Sequence, residues 1–388
     1  MSRFELAQRV KDLPAYLFAR IDAMKREAVE RGVDVIDLSI GDPDTPTPKH
    51  IVEAMKRAVE NPARHRYPSS EGMPAFREAV AAWYGRRFNV GLEAKGEVIT
   101  LIGSKEGIGH LPLAFVDPGD VVLVPSPGYP VYAIGTLFAG GESVEMPLLE
   151  ENGYLPDLDR IDGDALKRAK LMFINYPNNP TAATASLEFF GKVVAFARAH
   201  GIIVCHDAAY TEMYYEGTRP PSFLGADGAM DVGIEIHSLS KTYNMTGWRI
   251  GCAVGNREIV AGLAKIKSNL DSGAFDAVQE AGIAALETDD SVLAPLREMY
   301  RERRDALLEG LGEAGIIAAR PSGTFYVWAE VPEGFDSAAF SAHLLKEAGV
   351  LTTPGNGFGG PGEGYVRFAL TVPAERIREA AGRIRKAL

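Results

Sequence analysis

Short apolar runs alternate with amphipathic segments between residues 95 and 255. Each run is nearly continuous and bounded by Gly, Pro, Asp or Asn; the runs lie at 98–102, 121–124, 171–174, 202–205, 234–238 and 249–254. Such runs are typical of strands buried on both faces of a mostly parallel sheet. The segments at 106–115, 131–139 and 187–199 read as helices between them. The pattern therefore predicts an α/β fold with helices on both faces of the sheet.

The two ends of the chain follow a different pattern. A helix is predicted at 15–31, a short strand at 35–38 and a Pro-rich loop at 41–48, and residues 258–315 are rich in helix formers. Two further strands and two further helices are predicted at 324–331, 365–370, 337–348 and 374–387. We expect a smaller α+β domain built from residues 1–45 and 286–388, beside a large domain over 46–285.

Composition narrows the class of protein. The 388 residues are 46% hydrophobic and 24% charged, which excludes a disordered or fibrous chain. No apolar stretch approaches the roughly 18 residues of a membrane span, and the charged N-terminus has no apolar core of a signal peptide. Two cysteines are too few for a disulfide framework, and the net charge of -11 argues against binding nucleic acid or anionic lipid. We expect a globular, cytoplasmic protein.

The most informative stretch is SLSKTYNMTGWRIG at 238–251. Lys241 follows the predicted strand 234–238, and α/β proteins bind ligands at the carboxyl ends of their strands. An amine that is desolvated there, near other cations, can act as a Schiff-base nucleophile. The hydroxyl groups of Ser238 and Ser240 and the planar guanidinium of Arg249 are hydrogen-bond donors that suit a phosphate dianion. Taken alone, Lys241 is equally consistent with a solvated loop lysine.

Asp207 stands at the carboxyl end of the predicted strand 202–205. A buried carboxylate without a partner is costly, so a cation such as a protonated pyridine nitrogen would stabilise it. A helix N-cap is the simpler interpretation of this residue in isolation. We interpret the neighbouring His206 as structural, because the histidines of the chain show no metal-ligand spacing, and we expect no metal site.

Three more loops follow predicted strands: GSKEG at 103–107, SPGYP at 126–130 and NYPNNPT at 175–181. Ser104 is a candidate N-cap beside amides that could bind an anion, although a plain helix start explains it as well. The Asn and Pro residues of 175–181 are ordinary turn formers. Tyr129 places an aromatic ring at a strand-to-helix turn.

These motifs occur in one order, with HDAAY at 206–210 and VRF at 366–368, and together they resemble the class I/II, fold-type I aminotransferases that use pyridoxal 5'-phosphate. The resemblance runs through essentially the whole chain. It implies a large domain with a mostly parallel seven-stranded sheet and a smaller α+β domain from both chain ends. It also implies a homodimer that binds pyridoxal phosphate, an amino acid and a 2-oxo acid.

The resemblance also assigns cofactor-binding roles. Lys241 would form the Schiff base with the cofactor aldehyde, and Asp207 would pair with the pyridine nitrogen. Tyr129 would stack on the ring. The ring's phenolic oxygen and the phosphate would be bound by Tyr210, Asn179, Ser104, Lys105, Ser238, Ser240 and Arg249, with Tyr67 reaching in from the neighbouring subunit.

The substrate-binding residues follow from the same likeness. Arg367 matches the arginine that grips the α-carboxylate, assisted by the Gly41 amide. The other expected substrate contacts are Tyr16, Lys105, Tyr129 and Asn179. One position departs from the family pattern N-P-T-G, because Ala182 follows Thr181 and the turn must accommodate a Cβ.

Segments 13–22, 38–48, 66–84 and 272–286 look like the LL-diaminopimelate aminotransferases. These enzymes move an amino group between LL-diaminopimelate, or the cyclised keto form tetrahydrodipicolinate, and 2-oxoglutarate or glutamate in lysine biosynthesis. Aspartate, alanine or aromatic aminotransferases are the neighbouring alternatives. A carbon–sulfur lyase or an acyl-condensing synthase would use the same fold. A sensor domain of a transcription regulator is a further alternative that we do not expect, because such regulators carry an added DNA-binding domain and we see no N-terminal length for one.

Overall fold

The structure is a computed structural model that describes residues 4–14, 17–217 and 219–388. Tyr16 lies outside these residues, so its predicted substrate contact stays a prediction. The strands are β1 Ile36–Asp37, β2 Val98–Leu101, β3 Val121–Ser126, β4 Glu142–Pro147, β5 Ala169–Asn175, β6 Ile203–Asp207, β7 Gly233–Ser238, β8 Gly251–Gly255, β9 Tyr326–Glu330, β10 Val350–Leu351, β11 Thr353–Pro354 and β12 Tyr365–Ala369.

The helices alternate with these strands as far as β8 and dominate after it. They are α1 Gln8–Lys11, α2 Leu17–Glu30, α3 Lys49–Glu60, α4 Pro74–Phe88, α5 Ser104–Phe115, α6 Val131–Ala139, α7 Gly163–Arg168, α8 Leu187–His200, α9 Ala229–Val232, α10 Leu239–Thr242, α11 Arg257–Leu270, α12 Asp276–Leu286, α13 Asp290–Glu313, α14 Ser337–His343 and α15 Ala374–Ala387. A π-helical turn, Leu344–Ala348, continues α14. No described helix is both long and apolar enough to cross a lipid bilayer.

Side-chain caps fix where several helices begin. Ser186 accepts the Phe189 amide at the start of α8, and Asn256 accepts two amides at the start of α11. Asp289 caps α13 in the same way. Because a helix leaves its first amides without partners, these short polar side chains define the helix starts.

The large sheet has seven strands in the order β2-β8-β7-β6-β5-β3-β4. Strands β3 to β7 pair in parallel, and β8 runs antiparallel to both of its neighbours, β7 and β2. Helices cover the sheet, and its inner strands β3 and β7 are buried at every position. The mostly parallel, helix-flanked sheet predicted from the apolar runs is confirmed.

One strand of this sheet, β4, has no counterpart among the six apolar runs. Its sequence ESVEMP places Glu142, Glu145 and Pro147 on the surface and buries only Met146. It pairs on one side only, with β3, because it is the edge strand. An edge strand needs no continuous apolar run, so its sequence gave no signal of burial.

A smaller α+β unit surrounds a three-stranded antiparallel sheet in the order β11-β12-β9. The N-terminal strand β1 pairs in parallel with β10, so both chain ends contribute to this unit. Helices α13 and α15 pack on each other beside it. Its own apolar core includes Phe325, Phe340 and Ile377, all fully buried. The boundaries at residues 45 and 285 stay a prediction.

The turn after β5 accommodates Ala182 in a left-handed conformation, with φ +60°. The turn is closed by the Ala182 amide, which donates to the Asn178 carbonyl at 2.9 Å, and by the Asn178 amide, which donates to the Ala183 carbonyl at 2.8 Å. The Ala182 methyl group is buried. The chain therefore keeps a backbone shape that favours glycine and places a Cβ in it.

We expect Ala182→Gly to leave the free energy of unfolding within about 0.5 kcal/mol of the parent, because relief of the left-handed strain offsets the lost methyl burial and the added chain entropy. Ala197→Gly is the matched control, since Ala197 is equally buried but lies inside helix α8. That change should cost about 1–2 kcal/mol. Urea unfolding measures both, and equal losses would contradict the strain at 182.

Candidate active site

A cavity of about 600 Å³ opens at the carboxyl edge of the large sheet, where it meets the small unit. It brings together nearly all of the predicted site residues. These are Gly41, Ser104, Lys105, Tyr129, Asn179, Asp207, Tyr210, Ser238, Ser240, Lys241, Arg249 and Arg367.

Strand register explains why such distant positions converge. Asn175 at the end of β5 pairs with Asp207 at the end of β6, and Ser238 at the end of β7 pairs with Gly251. Parallel strands share a carboxyl edge, and the antiparallel β8 begins at that same edge, which places Arg249 there too. Ligands of open α/β sheets bind outside this edge.

Lys241 lies in helix α10, directly after β7, and its Nζ donates to the Gly41 carbonyl at 2.6 Å. Burial lowers the pKa of Lys241 to about 8, the Asp42 carboxylate opposes that shift, and the Arg249 and Arg367 cations add to it. The interpretation of Lys241 as a solvated loop lysine is therefore wrong. At neutral to mildly basic pH this amine is neutral far more often than an exposed lysine.

Asp207 is buried at the end of β6. Its Oδ2 accepts the Tyr132 hydroxyl at 2.9 Å, and its Oδ1 accepts the Ala209 amide at 3.3 Å. Burial raises the pKa of Asp207, and these two donors oppose the rise. No helix begins at the residues after Asp207, so the helix N-cap interpretation is wrong. The carboxylate instead faces the cavity.

Ser238, Ser240, Arg249 and Ser104 line one end of the cavity. The Ser238 hydroxyl oxygen accepts the Ser240 amide at 3.2 Å, which fixes the loop before Lys241. Ser104 is the first residue of α5, and the N-cap is Gly103, so the predicted N-cap role of Ser104 is wrong. Gly103 has φ +78°, and a Cβ there would lie 2.2 Å from Arg249 Nη2. Glycine lets the Arg249 guanidinium approach the helix start.

Arg367 in β12 is buried and lines the cavity from the small unit. Its Nη1 donates to Asn179 Oδ1 at 2.7 Å, and its Nη2 donates to the Ser39 carbonyl at 2.6 Å. Its Nε has no hydrogen-bond partner. The guanidinium also lies 4.2 Å from the ring centre of Tyr326. These contacts hold a buried cation at the cavity without neutralising it by a carboxylate.

Tyr210, which follows β6 of the large sheet, contacts Tyr326 in β9 of the small unit, with their hydroxyl oxygens 3.0 Å apart. Tyr326 also limits position 41, because a Cβ on Gly41 would lie 1.9 Å from the Tyr326 hydroxyl oxygen. Only glycine lets the chain bring the carbonyl of residue 41 to Lys241. This close approach accounts for the glycine in the loop 41–48.

Sequence reasoning missed several residues of the site. Asn175 holds the site's backbone: its Nδ2 donates to the Asp207 carbonyl at 2.8 Å, and its Oδ1 accepts the Asn179 amide at 2.8 Å. Asn175 lies in the motif 175–181, but an asparagine there is also an ordinary turn former, and its sequence context does not indicate the bond to Asp207. The cavity lining also includes residues to which the sequence analysis assigned no role: Asp22, Ile40, Asp42, Ala209, Thr246, Gly247 and Tyr326.

Tyr67 does not lie in the cavity of its own chain. It is 90% exposed, in the loop that follows the short 3-10 helix Pro62–His65. The Ser69 carbonyl of that loop lies close to Gly273. The expected contribution of Tyr67 to a neighbouring subunit's site stays a prediction.

One group of potential metal ligands occurs among the described residues: Glu106, His110 and Asp271. The Lys267 Nζ donates to Glu106 at 3.2 Å and to Asp271 at 2.9 Å, and its side chain is fully buried. The Lys267 ammonium already pairs with both carboxylates. The cluster is therefore an ion-pair network between helices α5 and α11.

The chain matches a model of a known protein family, described as aminotransferase class I and II, over residues 33–384. The chain belongs to this family. It is thus an aminotransferase, and the family membership predicted from the motifs is confirmed.

Individual relatives match over nearly their whole length. An LL-diaminopimelate aminotransferase of Syntrophobacter fumaroxidans is 60% identical over 383 residues, with 99% of each chain covered. An enzyme of the same name from Moorella thermoacetica is 59% identical over 382 residues, with 98% of each chain covered. Substrate-bound BacF from Bacillus subtilis superposes with a TM-score of 0.95 at 42% identity, over 99% of this chain and 98% of that one.

The depressed pKa of Lys241 predicts selective chemical labelling. Acetylation by limiting acetic anhydride requires the neutral amine, so labelling at position 241 should have its midpoint near pH 8. Exposed lysines, which ordinarily titrate near 10.4, provide the internal control. Site-resolved mass spectrometry across pH 6 to 11 measures both, and a midpoint above about pH 10 would contradict the desolvated amine.

Asp42→Asn should lower the pKa of Lys241 further, because the Asp42 charge raises it. The labelling midpoint should therefore move to lower pH, and labelling at pH 7 should be faster than in the parent protein. Glu53→Gln, on the exposed face of α3, is the matched control that removes one carboxylate from the surface. A shift of equal size in both variants would show a general charge effect.

Proposed function

We propose that this aminotransferase uses pyridoxal 5'-phosphate and moves an amino group between LL-diaminopimelate and 2-oxoglutarate, in lysine biosynthesis. One observation carries the proposal: a depressed-pKa lysine, a buried carboxylate and a buried arginine, Lys241, Asp207 and Arg367, line a single cavity. This chemistry needs an amine that forms a Schiff base, an anion that pairs with a pyridinium, and a guanidinium that binds a carboxylate.

The donor set of the cavity fits the cofactor. Asp207 is buried without a cationic side chain on its oxygens among the described residues, which suits a protonated ring nitrogen. Ser238, Ser240 and Arg249 at one end suit a phosphate, and Tyr129 adds an aromatic ring. When bound, pyridoxal phosphate supplies the electron sink that stabilises a carbanion at the substrate α-carbon.

Lys241 has two tasks in this proposal. Its neutral amine holds the cofactor aldehyde before substrate arrives, and its pKa of about 8 makes that form accessible near neutral pH. With a substrate bound at the cofactor, Lys241 Nζ would be the base that accepts the proton of the substrate α-carbon. The Gly41 carbonyl, 2.6 Å from Nζ, orients that amine.

Arg367 binds the substrate α-carboxylate. Within the described part of the chain, its Nε has no hydrogen-bond partner and no carboxylate pairs with it, so its positive charge is available to a ligand carboxylate. Asn179 and the Ser39 carbonyl fix the plane of the guanidinium. Asn179 uses Oδ1 for this contact, so its amide group remains to donate to the phenolic oxygen of the cofactor. The Tyr210 hydroxyl, 3.0 Å from Tyr326, is the second donor for that oxygen.

The substrate class rests on the relatives and on the charges of the cavity. The relatives named above are LL-diaminopimelate aminotransferases with 59–60% identity over nearly the whole chain. Asp22, Asp42 and Lys105 line the same cavity. Charges of both signs favour a substrate whose far end carries an ammonium and a carboxylate.

A panel of half-reactions tests the substrate. Bound cofactor should change its absorbance with LL-diaminopimelate at least about tenfold faster than with aspartate, alanine or tyrosine, because only the first can pair with both charges at the cavity. Stopped-flow absorbance measures each rate. Release of pyruvate and ammonia from cystathionine without a keto-acid acceptor would instead indicate lyase chemistry.

Lys241→Ala should remove the cofactor's Schiff-base absorbance and all turnover, because no other lysine occupies that position at the end of β7. The unfolding midpoint of the cofactor-free protein should stay unchanged or rise slightly, since a desolvated ammonium is lost. Lys170→Ala, an exposed lysine in β5, is the control for loss of a positive charge. Retained turnover in Lys241→Ala would overturn the proposal.

We further propose a cytoplasmic homodimer in which Tyr67 completes the neighbouring subunit's site. Its exposed ring has no role within its own cavity. The loop 66–70 that carries it adjoins the 271–275 segment, where Phe275 is also exposed. Exposed aromatic residues on two adjoining loops favour an interface between copies.

Complementation tests this arrangement. Tyr67→Phe and Lys241→Ala should each be strongly impaired, but equal amounts, unfolded together and refolded, should regain about a quarter of parental activity, because half the dimers contain one intact site. Light scattering establishes the dimer. A mixture no more active than Tyr67→Phe alone, with dimers present, would place Tyr67 outside the neighbouring site.

A further inference from the structure

Tyr132 lies behind the cavity and belongs to none of the motif assignments. It is fully buried in α6, and its hydroxyl is the only side-chain donor to Asp207 among the described residues. The distance from the Tyr132 hydroxyl to Asp207 Oδ2 is 2.9 Å. The other carboxylate oxygen has only the longer contact, 3.3 Å, with the Ala209 amide.

The packing around Tyr132 leaves its ring little freedom. It stacks on Phe173 of β5, with ring centres 4.9 Å apart and planes 21° from parallel. It also meets Tyr129 edge to face at 5.9 Å. Because Phe173 pairs with Cys205 in the sheet, two residues before Asp207 on the same face, this stacking aims the hydroxyl at the carboxylate.

Protonation supports the direction of this hydrogen bond. Burial raises the pKa of the Tyr132 phenol well above its usual range, so the hydroxyl keeps its proton and acts as donor. A donor to a carboxylate stabilises the ionised form of that carboxylate. Asp207 needs such a donor because its burial favours the neutral acid.

We propose that Tyr132 is a positioning residue that holds the Asp207 carboxylate ionised and oriented toward the cofactor's ring nitrogen, and thereby tightens cofactor binding. The inference rests on the proposed use of pyridoxal phosphate. Tyr132 itself does not line the cavity and acts through Asp207. Tyr129, in the turn just before α6, lines the cavity, whereas Tyr132 in the first turn of α6 lies behind Asp207.

A double-mutant cycle tests the inference. The dissociation constant of pyridoxal 5'-phosphate is measured by absorbance for the parent, Tyr132→Phe, Asp207→Asn and the double variant. Tyr132→Phe should weaken binding about tenfold, as expected for a lost charge-assisted hydrogen bond. On the Asp207→Asn background the same change should alter binding by less than about twofold, because the carboxylate it supports is gone.

Two outcomes would overturn the inference: a Tyr132→Phe protein that binds as tightly as the parent, or an equal loss on both backgrounds, which indicates packing alone. Tyr215→Phe is the matched control, since it removes the hydroxyl of another buried tyrosine that donates to the Thr324 carbonyl. It should leave the dissociation constant within about twofold of the parent. A parent protein that binds no cofactor would overturn the proposed function instead.

Thermal unfolding of the cofactor-free proteins covers the case in which Asp207→Asn binds too weakly to measure. Because burial raises the pKa of Asp207, its ionised form costs stability at high pH, and the Tyr132 hydroxyl reduces that cost. Tyr132→Phe should therefore lower the unfolding midpoint more at pH 8 than at pH 5. An equal loss at both values would overturn the inference.

Discussion

Lys241 lies where burial and two arginines oppose its positive charge, and the Gly41 carbonyl holds its amine in place. That balance of desolvation and repulsion gives the lysine a neutral form near physiological pH. The Arg249 and Arg367 cations that lower its pKa are the same groups that we propose to bind the phosphate and the α-carboxylate. In that proposal, one arrangement of charge both activates the amine and provides the ligand sites.

This balance depends on the loop 41–44 being held against the large sheet. Arg303 of α13 grips both carboxylate oxygens of Asp44, at 2.7 and 2.9 Å, and also donates to the Leu370 carbonyl at 3.0 Å. Asn244 donates to the Thr45 hydroxyl from the opposite side. The loop that orients Lys241 is thus anchored to both units of the fold. A bidentate, largely buried arginine is well suited to this role.

The sequence predicted the strands of the large sheet wherever a buried strand leaves a continuous apolar run. Strand β4 was not predicted, because an edge strand has no such run. Motif resemblance placed Lys241, Asp207 and Arg367 in one site. The shared edge of the large sheet explains why Lys241 and Asp207 meet, whereas Arg367 reaches the cavity from β12 of the small unit. For Asp207 in isolation the wrong interpretation was favoured. An aspartate that ends a strand has the same sequence context whether it caps a helix or faces a binding site. Tyr132 and Asn175 were missed because their role lies in contacts made across the sheet, which no local pattern records.

The two edges of the large sheet differ in how they avoid unwanted pairing. At one edge, β2 is buried, and its Thr100 amide donates to the Glu71 carbonyl. The segment before α4 therefore covers the free backbone edge of β2. At the other edge, β4 exposes Glu142 and Glu145 and ends at Pro147, which has no amide hydrogen to offer. Like charges repel a second copy, and proline interrupts the ladder. An otherwise apolar sheet is thereby protected against strand-to-strand aggregation at high concentration.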